Sequence, residues 1–199
     1  MTTQKLLQRY GTQLLLADAT DFPTSGAGPP ATAANSLIIG TPTKVQMNMS
    51  TIAAAAAWQS AKTATLVDVG ASVGYPREWV LGACMESTAT PTAGGTFDFY
   101  WNASPNSTAG TGNSGGTSGT DLAYTYTASS LKQLIPIGSM TVRANVLNIE
   151  AVIGKLILPF LYGSLIVVNN TDAAMQADGV ADQTHVVLTP VIPDLQAAA

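Results

Sequence analysis

The stretch Trp79–Asn102, with Glu78 just ahead of it, constrains the fold more than any other part of the chain. It reads EWVLGACME, then STATPTAGG, then TFDFYWN. In the first run Trp79, Leu81, Ala83 and Met85 share one face. In the last, Phe97, Phe99 and Trp101 share one face, while Asp98 and Asn102 point the other way. An apolar residue at every second position is the period of a strand with one buried side. The Thr/Pro/Gly segment between the runs is long enough for a hairpin connection. Two of the three Trp and two of the four Phe lie here. Trp79, Phe97, Phe99 and Trp101 are therefore expected to anchor the core of a β-sandwich.

Composition bounds the surface. The chain has 199 residues, enough for one domain with a substantial core. Only 10% of residues are charged, against about a quarter in ordinary soluble proteins. Charge depletion is a mark of interface cores, so much of the surface is expected to be buried against neighbouring subunits. A soluble domain coated with Thr, Ser and Asn is the alternative. The net charge is −4, and eight basic residues are scattered without a run. Nucleic acid is thus not an expected partner, because a phosphate-tracking groove needs clustered Lys and Arg. A single cysteine, Cys84, excludes an internal disulfide framework and a multi-cysteine zinc site; a buried inert thiol is expected. No secretory signal pattern opens the chain. The most apolar run, KLILPFLYGSLIVV, is broken by Pro159, Gly163 and Ser164. It is too short for a membrane helix and reads as two buried strands joined at a corner.

Taken in order, residues 1–34 read as an extended N-terminal arm, which either packs across a neighbouring subunit or folds back on its own domain. Leu6, Leu7, Tyr10 and Leu14 have roughly helical spacing, interrupted by Gly11, and a Pro/Gly/Ala/Thr stretch follows. Residues 35–199 read as the sandwich. Its strand candidates are Ser36–Gly40, Lys44–Ser50, Thr63–Val69, the two central runs, Leu122–Thr127, Leu131–Ile137, Ser139–Asn145, Val146–Ile153, Lys155–Phe160, Gly163–Asn169 and His185–Ile192. The alanine-rich run Ile52–Trp58 is helical by propensity, though flanking strands compete for it. Short strands at this spacing indicate a sandwich or barrel. Residues 103–121 form one Gly/Ser/Thr/Asn loop, which needs something to lean on if it is ordered.

Motifs that carry chemistry are weak. Gly110, Gly112 and Gly115 match G-x-G-x-x-G, but without the strand before and helix after that a dinucleotide site requires. His185 is the sole histidine and leads an apolar run, which favours a structural role. Asp18 with Asp21, and Asp172 with Asp178 and Asp182, lack the ligand spacing of a calcium loop. Glu86 and Asp98 are the carboxylates to inspect for glycoside cleavage. Asn48, Asn102, Asn106 and Asn169 head N-x-[ST] triplets, expected by chance in so Thr-rich a chain. No catalytic, cofactor-binding or metal-binding residue is assigned, and no cofactor is expected.

The segments YPREWVLGACMES, TPTAGGTFDFYWNASPNSTAGTGNSGG, SLKQLIPIGSMTV and PFLYGSLIVVNNT, followed by HVVLTPVIPD, resemble a family of small virion structural proteins of tailed bacteriophages. The resemblance spans about Tyr75 to Asp194 and is most specific in GGTFDFYW and YGSLIVVNN. It implies an all-β, jelly-roll-like sandwich in the virion, assembled in the bacterial cytoplasm, and no enzymatic activity. The implied role is a head decoration or cement protein, a dimer or trimer whose partner is the major capsid protein or another virion protein. Neither nucleic acid nor membrane is involved. Residues 1–34 and the 103–121 loop are the expected contacts. A neck, tail or fibre component binding a host receptor is the alternative, with Tyr100, Tyr124 and Tyr126 as its exposed aromatic patch.

Overall fold

The computed structural model describes residues 5–18, 37–50, 52–63, 78–143, 148–176 and 184–196. In chain order the described elements are β1 (Lys5–Tyr10), β2 (Leu14–Ala17), β3 (Thr43–Gln46), β4 (Ala57–Gln59), β5 (Glu78–Glu86), β6 (Thr96–Ser104), β7 (Leu122–Ala123), α1 (Ala128–Leu131), β8 (Ile135–Thr141), β9 (Asn148–Ile157), β10 (Tyr162–Asn170) and β11 (His185–Gln196). They form an all-β sandwich of two packed sheets. One sheet has the order β3-β2-β11-β5-β9, with β1 also on β11; the other is β7-β4-β10-β6-β8. All pairings are antiparallel except β2 with β3.

The pairing is nested. β2 pairs with β11, β4 with β10, β5 with β9 and β6 with β8. The chain thus behaves as one long hairpin folded over itself, with successive strands crossing between sheets. β5 and β6 do cross in this way, so the Thr/Pro/Gly segment is not the hairpin expected from its length. It carries the chain from one sheet to the other, where Phe97, Phe99 and Trp101 meet Trp79, Leu81, Ala83 and Met85 face to face in one buried core. The core anchors stand where the two-residue period puts them.

Other expectations are refined. Residues 5–17 of the expected arm fold back on their own domain as strands. β1 and β2 run antiparallel along β11 as one interrupted strand, with Tyr10 opposite Val191 and Leu14 opposite Leu188. Residues 11–13 therefore face only Thr189 and Pro190, a bulge placed where Pro190 has no N–H to give. The rest of 1–34 lies outside the described residues, apart from Asp18. The alanine run is not helical: Ala55 turns the chain at φ 58° and β4 begins at Ala57. The described part of the candidate Val146–Ile153 and the start of Lys155–Phe160 are one strand, β9, whose outer side is exposed rather than buried. Leu122–Thr127 keeps only two residues in the ladder, Leu131–Ile137 and Ser139–Asn145 share β8, and most of Thr63–Val69 lies outside the described residues.

One side of the sandwich is closed by a seam between the edge strands β8 and β9. Each carries a bulge: the register skips Ile137 on β8 and Ile153 on β9. A glycine follows each bulged isoleucine. A Cβ on Gly138 would lie 2.9 Å from the Ile153 carbonyl oxygen, and one on Gly154 would lie 2.6 Å from that of Ile137. Two Ile-Gly pairs thus interlock, and only glycine allows backbones this close.

Candidate interaction surface

Since Phe97, Phe99 and Trp101 face inward, Asp98, Tyr100 and Asn102 face out of the sheet. Asn102 is nevertheless fully buried, because residues 103–121 fold back over it. Its Oδ1 accepts from the backbone N–H and the hydroxyl of Ser114, both at 3.0 Å. Its Nδ2 donates to Ser164 Oγ at 3.2 Å. On β4, Gln59 Oε1 accepts from the N–H groups of Ser118 and Gly119 at 2.9 and 3.3 Å. The tract therefore leans on its own sheet and leaves residues 105–112 exposed at its tip. Gly110, Gly112 and Gly115, the glycines of the G-x-G-x-x-G match, are turn residues with φ of 76°, 68° and 64°.

Asp121 ends this roof and locks it. Its Oδ1 accepts from Trp58 Nε1 at 2.7 Å and Asn48 N at 2.9 Å, and its Oδ2 accepts from Gln46 Nε2 at 2.9 Å. Gln46 also reaches Asp18 Oδ2 at 3.2 Å. One carboxylate thus ties β4 to the segment that continues β3 in the opposite sheet. No motif announces it.

The tyrosines do not form an open patch. Tyr124 is buried, donates its hydroxyl to the Gly115 carbonyl and stacks on Tyr126 with ring centroids 6.2 Å apart. Tyr100 and Tyr126 are half-buried against Ala57, Ile166 and Val168. Burial, then the charge of Asp98, then Tyr126 push the Tyr100 phenol above its ordinary pKa.

The other singled-out residues are dispersed. Glu86 and Asp98 lie in different sheets; Glu86 is opposite Asn148, and Asp98 is opposite Ser139 and Val168. Asp98 accepts from Asn170 Nδ2 at 2.6 Å. His185 is buried opposite Cys84, whose thiol donates to Asn148 Oδ1 at 2.9 Å. Asp172 accepts from the N–H of Thr92 at 2.8 Å and from its hydroxyl, and these bonds hold its carboxyl below the usual range. Asp21, Asp178 and Asp182 lie outside the described residues. Asn102 and Asn169 are buried in hydrogen bonds, closed to any glycan. Among the described residues no group of three or more His, Cys, Asp or Glu is placed to hold a metal ion, and no helix is long and apolar enough to cross a membrane.

The second surface is apolar. On the outer side of β9, Val152 and Ile157 are 64% and 66% exposed, and at the following corner Phe160 and Leu161 are 46% and 38% exposed. The ion pair of Lys155 with Glu78 sits among them. Beyond the seam β8 and β9 diverge, leaving a cleft of about 480 Å³ that Val152 helps to line. Comparison with protein-family models, curated proteins and solved structures finds no match.

Proposed function

We propose that the chain is a non-enzymatic structural subunit of a tailed-bacteriophage virion, a decoration or cement protein that binds the assembled head lattice. The observation that carries this reading is the exposed apolar set Val152, Ile157, Phe160 and Leu161, and the nested pairing, β2 with β11 through β6 with β8, agrees with it. Such pairing supports a jelly roll, the double-sheet architecture used by viral capsid and lectin domains. Architecture alone does not assign a role. The virion resemblance of the sequence and the low charge point the same way. The mechanism is mass action. A ligand that binds only the assembled lattice stabilises that lattice in proportion to the logarithm of its concentration over Kd. The major capsid protein is the partner, and the subunit acts as a dimer or trimer.

The test is to add purified protein to expanded heads that lack it. Saturable binding at regular positions in a whole-particle reconstruction, with heads surviving higher temperature, is the expected result. Density at the tail alone would instead favour the neck, tail or fibre reading, and no binding to any particle would reject both. Ile157→Ser with Val152→Ser locates the surface. Burying the exposed remainder of each side chain is worth about 1–2 kcal/mol. The pair therefore weakens head binding roughly 30- to 1,000-fold, while the free subunit stays within about 0.5 kcal/mol of its original stability.

A further inference from the structure

Three backbone carbonyls and a hydroxyl from one loop converge on a single point. Lys62 Nζ lies 3.0 Å from Ser104 Oγ, 3.0 Å from the Asn106 oxygen, 2.8 Å from the Thr108 oxygen and 2.8 Å from the Thr111 oxygen. An ammonium has three protons and no acceptor, so four oxygens take up its whole donor capacity. The route to this point is also built. The backbone N–H of Lys62 donates to the Gly119 oxygen at 2.9 Å. A Cβ on Gly119 would come within 3.0 Å of Lys62 Cε, so the missing side chain leaves room for the lysine stem. Gly110 and Gly112, at φ of 76° and 68°, make the turns that aim the carbonyls inward.

The oxygens are partly prearranged without the lysine. Ser104 Oγ accepts from the Asn106 N–H at 3.3 Å, Asn106 Oδ1 accepts from the Thr108 N–H at 2.8 Å, and the Thr108 oxygen accepts from the Thr111 N–H at 3.3 Å. Converging carbonyls repel one another unless a positive charge sits between them. Size then selects the charge. Distances of 2.8–3.0 Å fit an ammonium and exceed the roughly 2.3–2.6 Å of calcium–oxygen bonds. Rings of backbone carbonyls are also how proteins replace the hydration shell of potassium.

We propose that residues 104–111 form a monovalent-cation cradle, filled by the chain's own Lys62 ammonium and open to a free ammonium or potassium ion once that side chain is cut back. The lysine charge then joins the Ser104 hydroxyl, which donates to the Asn106 and Thr111 oxygens at 3.0 and 3.2 Å, in holding the loop. The inference stands whether or not the subunit decorates a phage head.

The experiment compares the wild type, Lys62→Ala and Lys62→Met by amide hydrogen exchange over 104–118. Protection is expected to fall about tenfold or more in both variants, the effect of losing bonds to a charged group. Ammonium or potassium chloride restores it in Lys62→Ala. Neither salt restores it in Lys62→Met, whose thioether fills the space, and choline chloride at equal ionic strength restores neither variant. Unchanged protection in Lys62→Met, or no rescue of Lys62→Ala by either small cation, overturns the proposal. Should the variants not fold, the wild type alone decides. The Lys62 ammonium protons are expected to exchange with water markedly more slowly than those of the exposed Lys132, and equal rates overturn the proposal.

Discussion

Gly163→Ala tests the packing of the central core directly. Gly163 lies on β10 opposite Ala103. A Cβ there would sit 2.5 Å from Trp101 Cζ2 and 2.5 Å from the Asn102 carbonyl oxygen, and closer still to Trp101 Cε2. Carbon atoms pack best at about 3.5–4.0 Å, so ring and strand must separate by about 1 Å. Trp101 is fully buried among Phe97, Phe99 and Leu165, and the Asn102 oxygen is backbone, so neither yields easily. The substitution does lower the entropy of the unfolded chain, which returns about 0.4–1 kcal/mol. Overpacking typically costs about 1–3 kcal/mol. With a backbone atom among the contacts, the gross cost is placed at or above the top of that range, about 3–5 kcal/mol, which leaves a net loss of about 2–4 kcal/mol. For a chain of this size that lowers Tm by about 5–15 °C. Gly82→Ala is the control, because its Cβ would meet the ends of side chains, Leu37 methyls at 3.2 Å and Val187 Cγ2 at 3.3 Å. It should cost no more than about 1 kcal/mol. Thermal and urea unfolding followed by Trp fluorescence reads both variants. A Gly163→Ala protein as stable as Gly82→Ala would show the steric reasoning to be wrong.

The remaining predictions follow from the roof, the seam and one turn. Asp121→Ala strips the acceptor from Trp58 Nε1, Asn48 N and Gln46 Nε2. It should cost about 1–3 kcal/mol in urea unfolding, with a shift in Trp58 emission; stability within error of the wild type refutes the locking role. Gly154→Ala should destabilise more than Gly138→Ala, since its Cβ would stand 2.6 Å rather than 2.9 Å from the opposing carbonyl. The reverse order in a melting experiment counts against the interlocked seam. Asp172 has a folded pKa below its unfolded value. Its contribution is therefore complete above the ordinary aspartate pKa of about 3.9. It is lost only as pH falls through the lower folded value, so the Thr92 amide resonance should titrate below that point. A midpoint at or above it contradicts the hydrogen-bonded geometry.

What was legible in the chain was one-sided burial. Trp79, Leu81, Phe97 and Phe99 show the two-residue period because one side faces the core, and Val45, Met47 and Met49 do so for the same reason. Pairing over long sequence distance was not legible. Leu14–Leu16 find their partners at Val186–Leu188, and nothing local in a short leucine run separates a strand from a helix. The alanines at 53–57 show propensity overridden by a turn and a three-residue ladder. The roof escaped because single polar residues hold it: Gln59, Lys62, Asn102 and Asp121 have no spacing pattern, and each acts through a partner far along the chain. Ile137-Gly138 and Ile153-Gly154 were visible as a repeated dipeptide, but its meaning appears only once two bulges face each other.

The pairing of β1 with the far half of β11 sets Lys5 directly across from Gln196. Polypeptide grafted ahead of the one or behind the other therefore leaves from the same corner, about 5 Å apart at the point of exit. Used as a display scaffold, the domain would carry two different cargoes side by side.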